Sequence, residues 1–453
     1  MHGASFRDPS GFIYSDVEGN LLRQINKKYE PDYAALMDSG LYQELVNRRL
    51  LIPHAEVDLS LAATPEASRI IQPERVRWIS YPYEWSFSQL KDAALTTLEI
   101  QKAAISHGLS LKDASAYNIQ FHKGKPTLID TLSFEIYKEG APWIAYRQFC
   151  QHFLAPLALM SLVDISLGQL SKTYIDGVPL ELASELLPLK TKFSSLQLHI
   201  HLHAKAQKRD AGKATSKPSS GFAKTAMLGL IDNLESAVRG FQWEAGGTEW
   251  GNYYEETNYS KEAMDAKKAL VKSFIEVGKP ESVWDLGANT GDFSKVAASL
   301  GIPTVAWDID PAAVEKNYLE VKRTGDELIL PLIQDLTNPS PAIGWSNRER
   351  ESFGQRGPVD MVLALALIHH LAIGNNVPLD RVAEFFAETA NFAIVEFVPK
   401  PDSQVQRMLA SREDIFTKYD EAGFESAFTA FFEILRKESV VGSQRTLYLI
   451  KRR

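Results

Sequence analysis

One stretch constrains this chain more than any other: Ser282-Val283-Trp284-Asp285-Leu286-Gly287-Ala288-Asn289-Thr290-Gly291-Asp292-Phe293-Ser294. An apolar run rises to an acid, crosses two glycines and enters a helical pattern at Phe293, Val296, Ala297 and Leu300. The pattern predicts a buried parallel strand, a tight turn and a helix whose first N–H groups point at a ligand. Gly287 and Gly291 let the backbone take conformations that a side chain blocks, and let it approach a ligand closely. Asp285 ends the strand, where a carboxylate can accept hydrogen bonds or hold a cation. A dinucleotide site needs G-x-G-x-x-G, because the pyrophosphate lies on bare backbone at the helix start. Here Asn289 stands at the middle position and no glycine follows Gly291 at the required spacing.

The form D-x-G-x-x-x-G resembles the first motif of the class I S-adenosylmethionine-dependent methyltransferases. The family's turn often carries a third glycine where Asn289 stands, and asparagine tolerates positive φ better than most residues. The resemblance makes Asp285, Gly287, Ala288, Asn289 and Gly291 cofactor-binding residues, with S-adenosylmethionine as the cofactor. Thr304-Val305-Ala306-Trp307-Asp308-Ile309-Asp310-Pro311 reads as a second strand ending in acids. Asp308 falls about 20 residues past the turn, where a carboxylate offers two oxygens to two ribose hydroxyls, with Ile309 beside it. Asp310 suits a helix cap before Pro311. Leu328–Leu336 is the third strand, and the resemblance gives Asp335 the adenine amino group and Leu336 the ring.

Val359–Leu371 is a fourth strand running past Leu365 into a turn that ends Leu-Ile-His-His-Leu. Many small-molecule members of the family end this strand similarly. The Asn-Pro-Pro-Tyr motif of nucleobase and amide N-methyltransferases is absent, which points away from amino-nitrogen targets. His369 and His370 are the catalytic candidates, since a neutral imidazole near pH 7 suits a general base acting on a hydroxyl. Phe392–Val398 is a fifth strand, and Phe432–Lys437 with Arg445–Lys451 closes the sheet. This order matches the family's seven-stranded Rossmann-like sheet, whose last strand is antiparallel, over residues 250–453. Before it, Trp250–Ser260 is dense in tyrosine; in the family this segment forms a lid, which makes Tyr253, Tyr254 and Tyr259 pocket candidates. The whole layout resembles bacterial nodulation-related methyltransferases.

The N-terminal half reads as a separate α+β domain over residues 1–203. Gly11–Tyr14 and Leu21–Ile25 form a plausible hairpin through Glu18-Gly19-Asn20, Tyr33–Leu51 reads as one helix, and Ser88–Ser106 as another. Asp113, then Asn118, a hairpin and Asp130 resemble the catalytic segment of the protein-kinase and aminoglycoside-phosphotransferase superfamily. There the first acid orients the acceptor hydroxyl, while the asparagine and second acid hold Mg²⁺. Arg23 lies near the place of the family's phosphate-pairing lysine, but no Gly-rich phosphate loop precedes it and arginine is no substitute for a compact charge. The alternatives are a phosphotransferase, a degenerate kinase-like binding module beside a cofactor-sensing half, and plain turn residues. His199, His201 and His203 alternate, as three imidazoles on one strand face would, or else they end a helix; no carboxylate accompanies them and no metal is expected.

With 453 residues and 45% hydrophobic content the chain can bury two cores. Residues 204–224 are polar and basic and read as a flexible linker; 225–453, opening with a helix over Thr225–Arg239, read as the second domain. A net charge of −8 argues against a general nucleic-acid surface. Cys150 is the single cysteine, no apolar run reaches a bilayer's width, and no signal pattern opens the chain, so a cytoplasmic protein with no membrane association is expected. The partner implied is a small-molecule or glycan acceptor, its identity undefined by these residues.

Overall fold

A computed structural model describes residues 3–204, 224–246, 261–410 and 412–453. The chain forms two compact units, one of residues 1–244 with 343–350, the other of residues 245–342 with 351–453.

The second unit is built on a seven-stranded sheet. In chain order its strands are β9 (Val283–Leu286), β10 (Thr304–Asp308), β11 (Ile329–Ile333), β12 (Val359–Ala364), β13 (Ala390–Phe397), β14 (Phe432–Ser439) and β15 (Thr446–Arg452). They lie in the order β11-β10-β9-β12-β13-β15-β14. All pairs from β11 to β13 are parallel, and β15 runs antiparallel to β13 and β14. All four residues of β9 and all five of β10 are buried, polar ones included. Such runs, rather than alternation, are what a parallel strand covered on both faces requires.

On one face Val271, Phe274 and Ile275 of the Lys261–Gly278 helix and Phe293 and Ala297 of the Asp292–Ser299 helix pack on Val283, Met361, Leu363, Ile394 and Leu449. On the other, Trp284, Trp307 and Phe353 form a ring cluster with centroids 4.8–5.8 Å apart. Fully burying each such side chain is worth about 1.5–3 kcal/mol. Strand β9 has β10 on one side and β12 on the other. The chain therefore reverses its winding direction there, and that reversal opens a crevice at the strands' carboxyl ends.

The first unit carries an antiparallel sheet of order β1-β2-β4-β3, from Gly11–Ser15, Leu21–Asn26, His54–Val57 and Ala67–Pro73. The predicted hairpin forms, with Gly11 opposite Ile25. The helix expected over Tyr33–Leu51 is two, Glu30–Asp38 and Leu41–Asn47, because Gly40 takes φ +79 between them. The Phe87–Ser106 helix opens with a capping box in which Ser86 and Gln89 satisfy each other's backbone N–H. Two short pairs follow, β5 (Leu109–Leu111) with β8 (Phe134–Ile136) and β6 (Ile119–His122) with β7 (Lys125–Leu128).

One open reading closes here and one expectation changes. Gln197–Leu202 is π-helical, the helical alternative of the two and not the strand. His199 hydrogen-bonds Tyr146 and Asn233, both at 2.6 Å, and His201 meets Ser184 and Thr191, so these rings serve packing. The Lys224–Gly240 helix belongs with the first unit and does not open the second. It buries Met227, Ile231, Leu234 and Val238, and Lys102 of the Phe87–Ser106 helix pairs with its Asp232 at 2.6 Å and with Glu235. Lys91 donates to the carbonyls of Arg239 and Phe241 at 3.0 and 2.6 Å, capping the helix end. Most of the expected linker over 204–224 lies outside the described residues. No helix among the described residues is long and apolar enough to cross a membrane.

Candidate functional site

At the end of β9 the chain turns through three left-handed residues, Gly287 at φ +76, Asn289 at +49 and Gly291 at +79. Asparagine does adopt the conformation that the missing glycine would have taken. A Cβ on Gly291 would stand 2.5 Å from the side-chain amide of Asn317, so that glycine is required by a neighbour as well as by its φ. Asn317, on the Pro311–Thr324 helix, is buried with neither amide atom hydrogen-bonded. Its contact joins two helices distant in sequence, and nothing local announces it. The bend is tied to β10 by Gly287 and Ala288, whose N–H groups both donate to the Trp307 carbonyl.

Asp308 closes this tie. Its Oδ2 accepts from the Asn289 N–H at 2.7 Å and its Oδ1 from the Asp310 N–H at 2.8 Å. A carboxylate has about four acceptor positions, so each oxygen keeps capacity for another donor. Burial pushes the Asp308 carboxyl up to about 6, against the lowering effect of those two N–H groups. Asp285, wholly buried, accepts from Ser294 Oγ at 2.7 Å, and desolvation raises it to about 7. Ile309, next to Asp308, leaves 54% of its surface exposed, an apolar platform at the strand's end. Asp310 caps the next helix, accepting from the Ala312 and Ala313 N–H groups at 2.7 and 3.3 Å.

Asp335 stands two residues beyond β11, whose Ile333 pairs with Asp308, so both acids lie at the same edge of the sheet as Gly287. Its carboxylate curls back onto its own loop, taking the Thr337 N–H at 2.8 Å and the Thr337 hydroxyl at 2.7 Å. Leu336 beside it is half-buried. On the far side of β9, Leu365 is buried just past β12, and Leu367 lies 3.4 Å from where a Gly287 Cβ would be. The bend is therefore bounded by the turn after β12.

That turn leads to His369 and His370, whose ring centroids are 4.2 Å apart. His369 is fully buried with neither ring nitrogen hydrogen-bonded, and burial followed by the His370, Arg445 and Lys267 charges holds it well below the usual imidazole range. His370 is lowered to about 4 by burial and Arg445. Both rings are neutral at pH 7. Tyr253, Tyr254 and Tyr259 lie outside the described residues.

In the first unit Asp113, Asn118 and Asp130 do converge. Asn118 Nδ2 donates to Ser133 Oγ at 3.3 Å, and that hydroxyl donates to Asp130 Oδ2 at 2.7 Å. Burial and the nearby Asp130 raise the Asp113 carboxyl. Asp130 Oδ1 is taken by the Arg23 guanidinium at 2.6 Å and the Leu132 N–H at 3.0 Å.

No family model matches the chain. Its sequence is 37% identical over 460 aligned residues to "Nodulation protein NoeA" of Rhizobium meliloti (strain 1021), covering 99% of this chain and 95% of that one. Solved structures similar to parts of it include the bifunctional kinase-methyltransferase WbdD, at 16% identity and TM-score 0.30 over 47% of this chain and 45% of that one. PH0226 from Pyrococcus horikoshii OT3 matches at 17% identity and TM-score 0.32, over 46% of this chain and 100% of that one. Magnesium protoporphyrin IX methyltransferase (ChlM) from Synechocystis PCC 6803 matches at 16% identity and TM-score 0.31, over 45% and 93%. At these TM-scores the three likenesses carry no weight. The near full-length identity does, and on it the chain belongs to the family of nodulation protein NoeA.

Proposed function

We propose that the second unit is a class I S-adenosylmethionine-dependent methyltransferase whose sheet is of the Rossmann-like kind. The observation that carries this reading is the Asp308 carboxylate, buried yet with acceptor capacity left, hydrogen-bonded at 2.7 Å to the backbone of the glycine bend. A ribose presents two hydroxyl donors to such a pair of oxygens. Ile309 offers its exposed face to the adenine, Asp335 and Leu336 lie at the same edge to meet the base, and Leu365 closes the far wall. The bare backbone from Gly287 through Ala288 to Gly291 leaves room for the amino-acid portion. When bound, S-adenosylmethionine supplies an activated methyl group on a sulfonium, so the protein's task is to orient the acceptor and exclude water.

The acceptor we favour is a hydroxyl, of a small molecule or a glycan. His369 and His370 stand in the turn after β12 and both rings are neutral at pH 7, the state that proton removal from a hydroxyl requires, although burial makes both weak bases. The first unit would recognise that acceptor. Its cluster of Asp113, Asn118 and Asp130 supports a degenerate kinase-like binding module more than a phosphotransferase, because Arg23, Leu132 and Ser133 already occupy the Asp130 carboxylate.

The test is calorimetry on the full-length protein with S-adenosylhomocysteine. Binding in the wild type and its weakening by at least about tenfold in Asp308→Ala is the expected result, one charged hydrogen-bond acceptor being worth at least that. A wild-type protein that shows no binding sinks the reading.

A further inference from the structure

Behind the site lies a buried ion pair that none of the strand-end motifs contains. Lys267, on the Lys261–Gly278 helix, places its Nζ 2.7 Å from Glu396 Oε2, and their side chains are 3% and 0% exposed. Glu396 is the penultimate residue of β13, at the sheet's carboxyl edge. The same Oε2 accepts the backbone N–H of Ala366 at 2.7 Å. Ala366 stands at φ +50, a left-handed conformation that a residue with a Cβ takes only when its surroundings compel it. The next residue, Leu367, is the one that a Cβ added at Gly287 would meet at 3.4 Å.

An aromatic ring and a second basic residue flank the pair. The Lys267 ammonium lies 4.9 Å over the ring of Phe293, one residue into the helix that follows the bend. Arg445 stands 3.9 Å from Glu396 Oε1 and holds Asp402 with two nitrogens at 2.8 and 3.2 Å. A buried ion pair is a poor device for stability alone, since apolar side chains of similar volume do as well or better. One carboxylate oxygen shared between a lysine and a strained turn is instead suited to fixing a shape.

We infer that Glu396 is a positioning residue: it holds the Leu365–Leu367 turn against the glycine bend, and Lys267 latches that turn to the Lys261–Gly278 helix. The turn keeps the geometry of the cofactor crevice only while that helix is seated, so the pair couples the helix preceding β9 to cofactor affinity. The inference rests on the methyltransferase reading of the crevice.

The decisive variant is Lys267→Met/Glu396→Leu, which replaces the pair with apolar volume and removes the acceptor from the Ala366 N–H. Its thermal midpoint should match or exceed the wild type's, while S-adenosylhomocysteine affinity falls by about tenfold, the equivalent of one hydrogen bond to a charged group. Amide exchange in a peptide spanning residues 361–371 should quicken. Lys267→Met/Glu396→Gln keeps an acceptor for Ala366 but loses the latch to the helix, so its affinity should fall by less than the leucine variant's, by about threefold. This second variant also serves if the first does not fold.

Unchanged affinity and unchanged exchange in the leucine variant would overturn the inference, as would an equal loss of affinity in both variants. A wild type that fails to bind S-adenosylhomocysteine, yet whose turn exchanges faster in the leucine variant, would instead overturn the methyltransferase reading and leave the turn's anchorage standing.

Discussion

Burial lifts the carboxyl of Asp285 to about 7 and that of Asp308 to about 6, well above the value of about 4 that each takes in the unfolded chain. Between those limits the folded protein holds protons that the unfolded chain has released. The stability these groups contribute is therefore complete below about pH 4 and is lost as pH rises towards 7. Thermal melts at a series of pH values should show a shallower decline over this window in Asp285→Asn than in the wild type. The cofactor's demand has the opposite sign. On the proposed reading the sugar hydroxyls of a bound nucleoside need an ionised Asp308, so S-adenosylhomocysteine affinity should fall as pH drops below about 6, a trend calorimetry at pH 5 and 7.5 can read. Gly291→Ala would force a Cβ to within 2.5 Å of Asn317 at φ +79. We expect a cost of about 1–3 kcal/mol in denaturant unfolding, partly relieved by Asn317→Ala. Of these residues the acids and glycines were legible in the sequence, because the acids sit at the ends of apolar runs and the glycines punctuate the turn that follows one of them. Asn317 and Glu396 were not legible there: each acts on a residue at least 26 positions away, and no local pattern encodes such an approach.

The elements of the second sheet were readable because parallel strands covered on both faces need near-continuous apolar runs, and β9 to β13 are mostly apolar, with their few acids and other polar residues set among them. The first unit was harder. Its hairpin and long helix carry turn residues and a capping box, whereas the π-helical stretch Gln197–Leu202 spaces His199 and His201 as a strand would. Gly40 sits inside an otherwise helical leucine pattern, and only its positive φ reveals a break. Asp310 and Asp308, two residues apart, allow a direct comparison of roles. Asp310→Ala should cost about 1 kcal/mol of stability by uncapping the Pro311–Thr324 helix, with S-adenosylhomocysteine affinity retained. Asp308→Ala should lose that affinity and some stability too, because the buried Asn289 and Asp310 N–H groups lose their acceptor; calorimetry then separates the two variants. In the first unit, Asp130→Ala takes from buried Arg23 the carboxylate at 2.6 Å and leaves it with Asp8 at 3.7 Å. A loss of about 3 kcal/mol in stability is expected, while Mg-ATP should give no binding heat with either the variant or the wild type.

At the scale of the molecule, the Lys224–Gly240 helix decides where the chain can be divided. Its buried stripe of Met227, Ile231, Leu234 and Val238 belongs to the first unit. A fragment starting at residue 225 would carry that stripe without its cover, and should aggregate more than one starting at residue 245, which light scattering can measure. The first unit also claims residues 343–350, encoded between β11 and β12 of the other. Within it, Arg350 stacks 4.2 Å over the ring of Tyr117, and Arg7 pairs with Glu349 at 2.5 Å. Eight residues are thus translated with one half and spent in the other. Chimeras of this chain with a relative must treat that octapeptide as cargo of the N-terminal parent, because a crossover placed only at the boundary near residue 244 would part Arg7 from its Glu349.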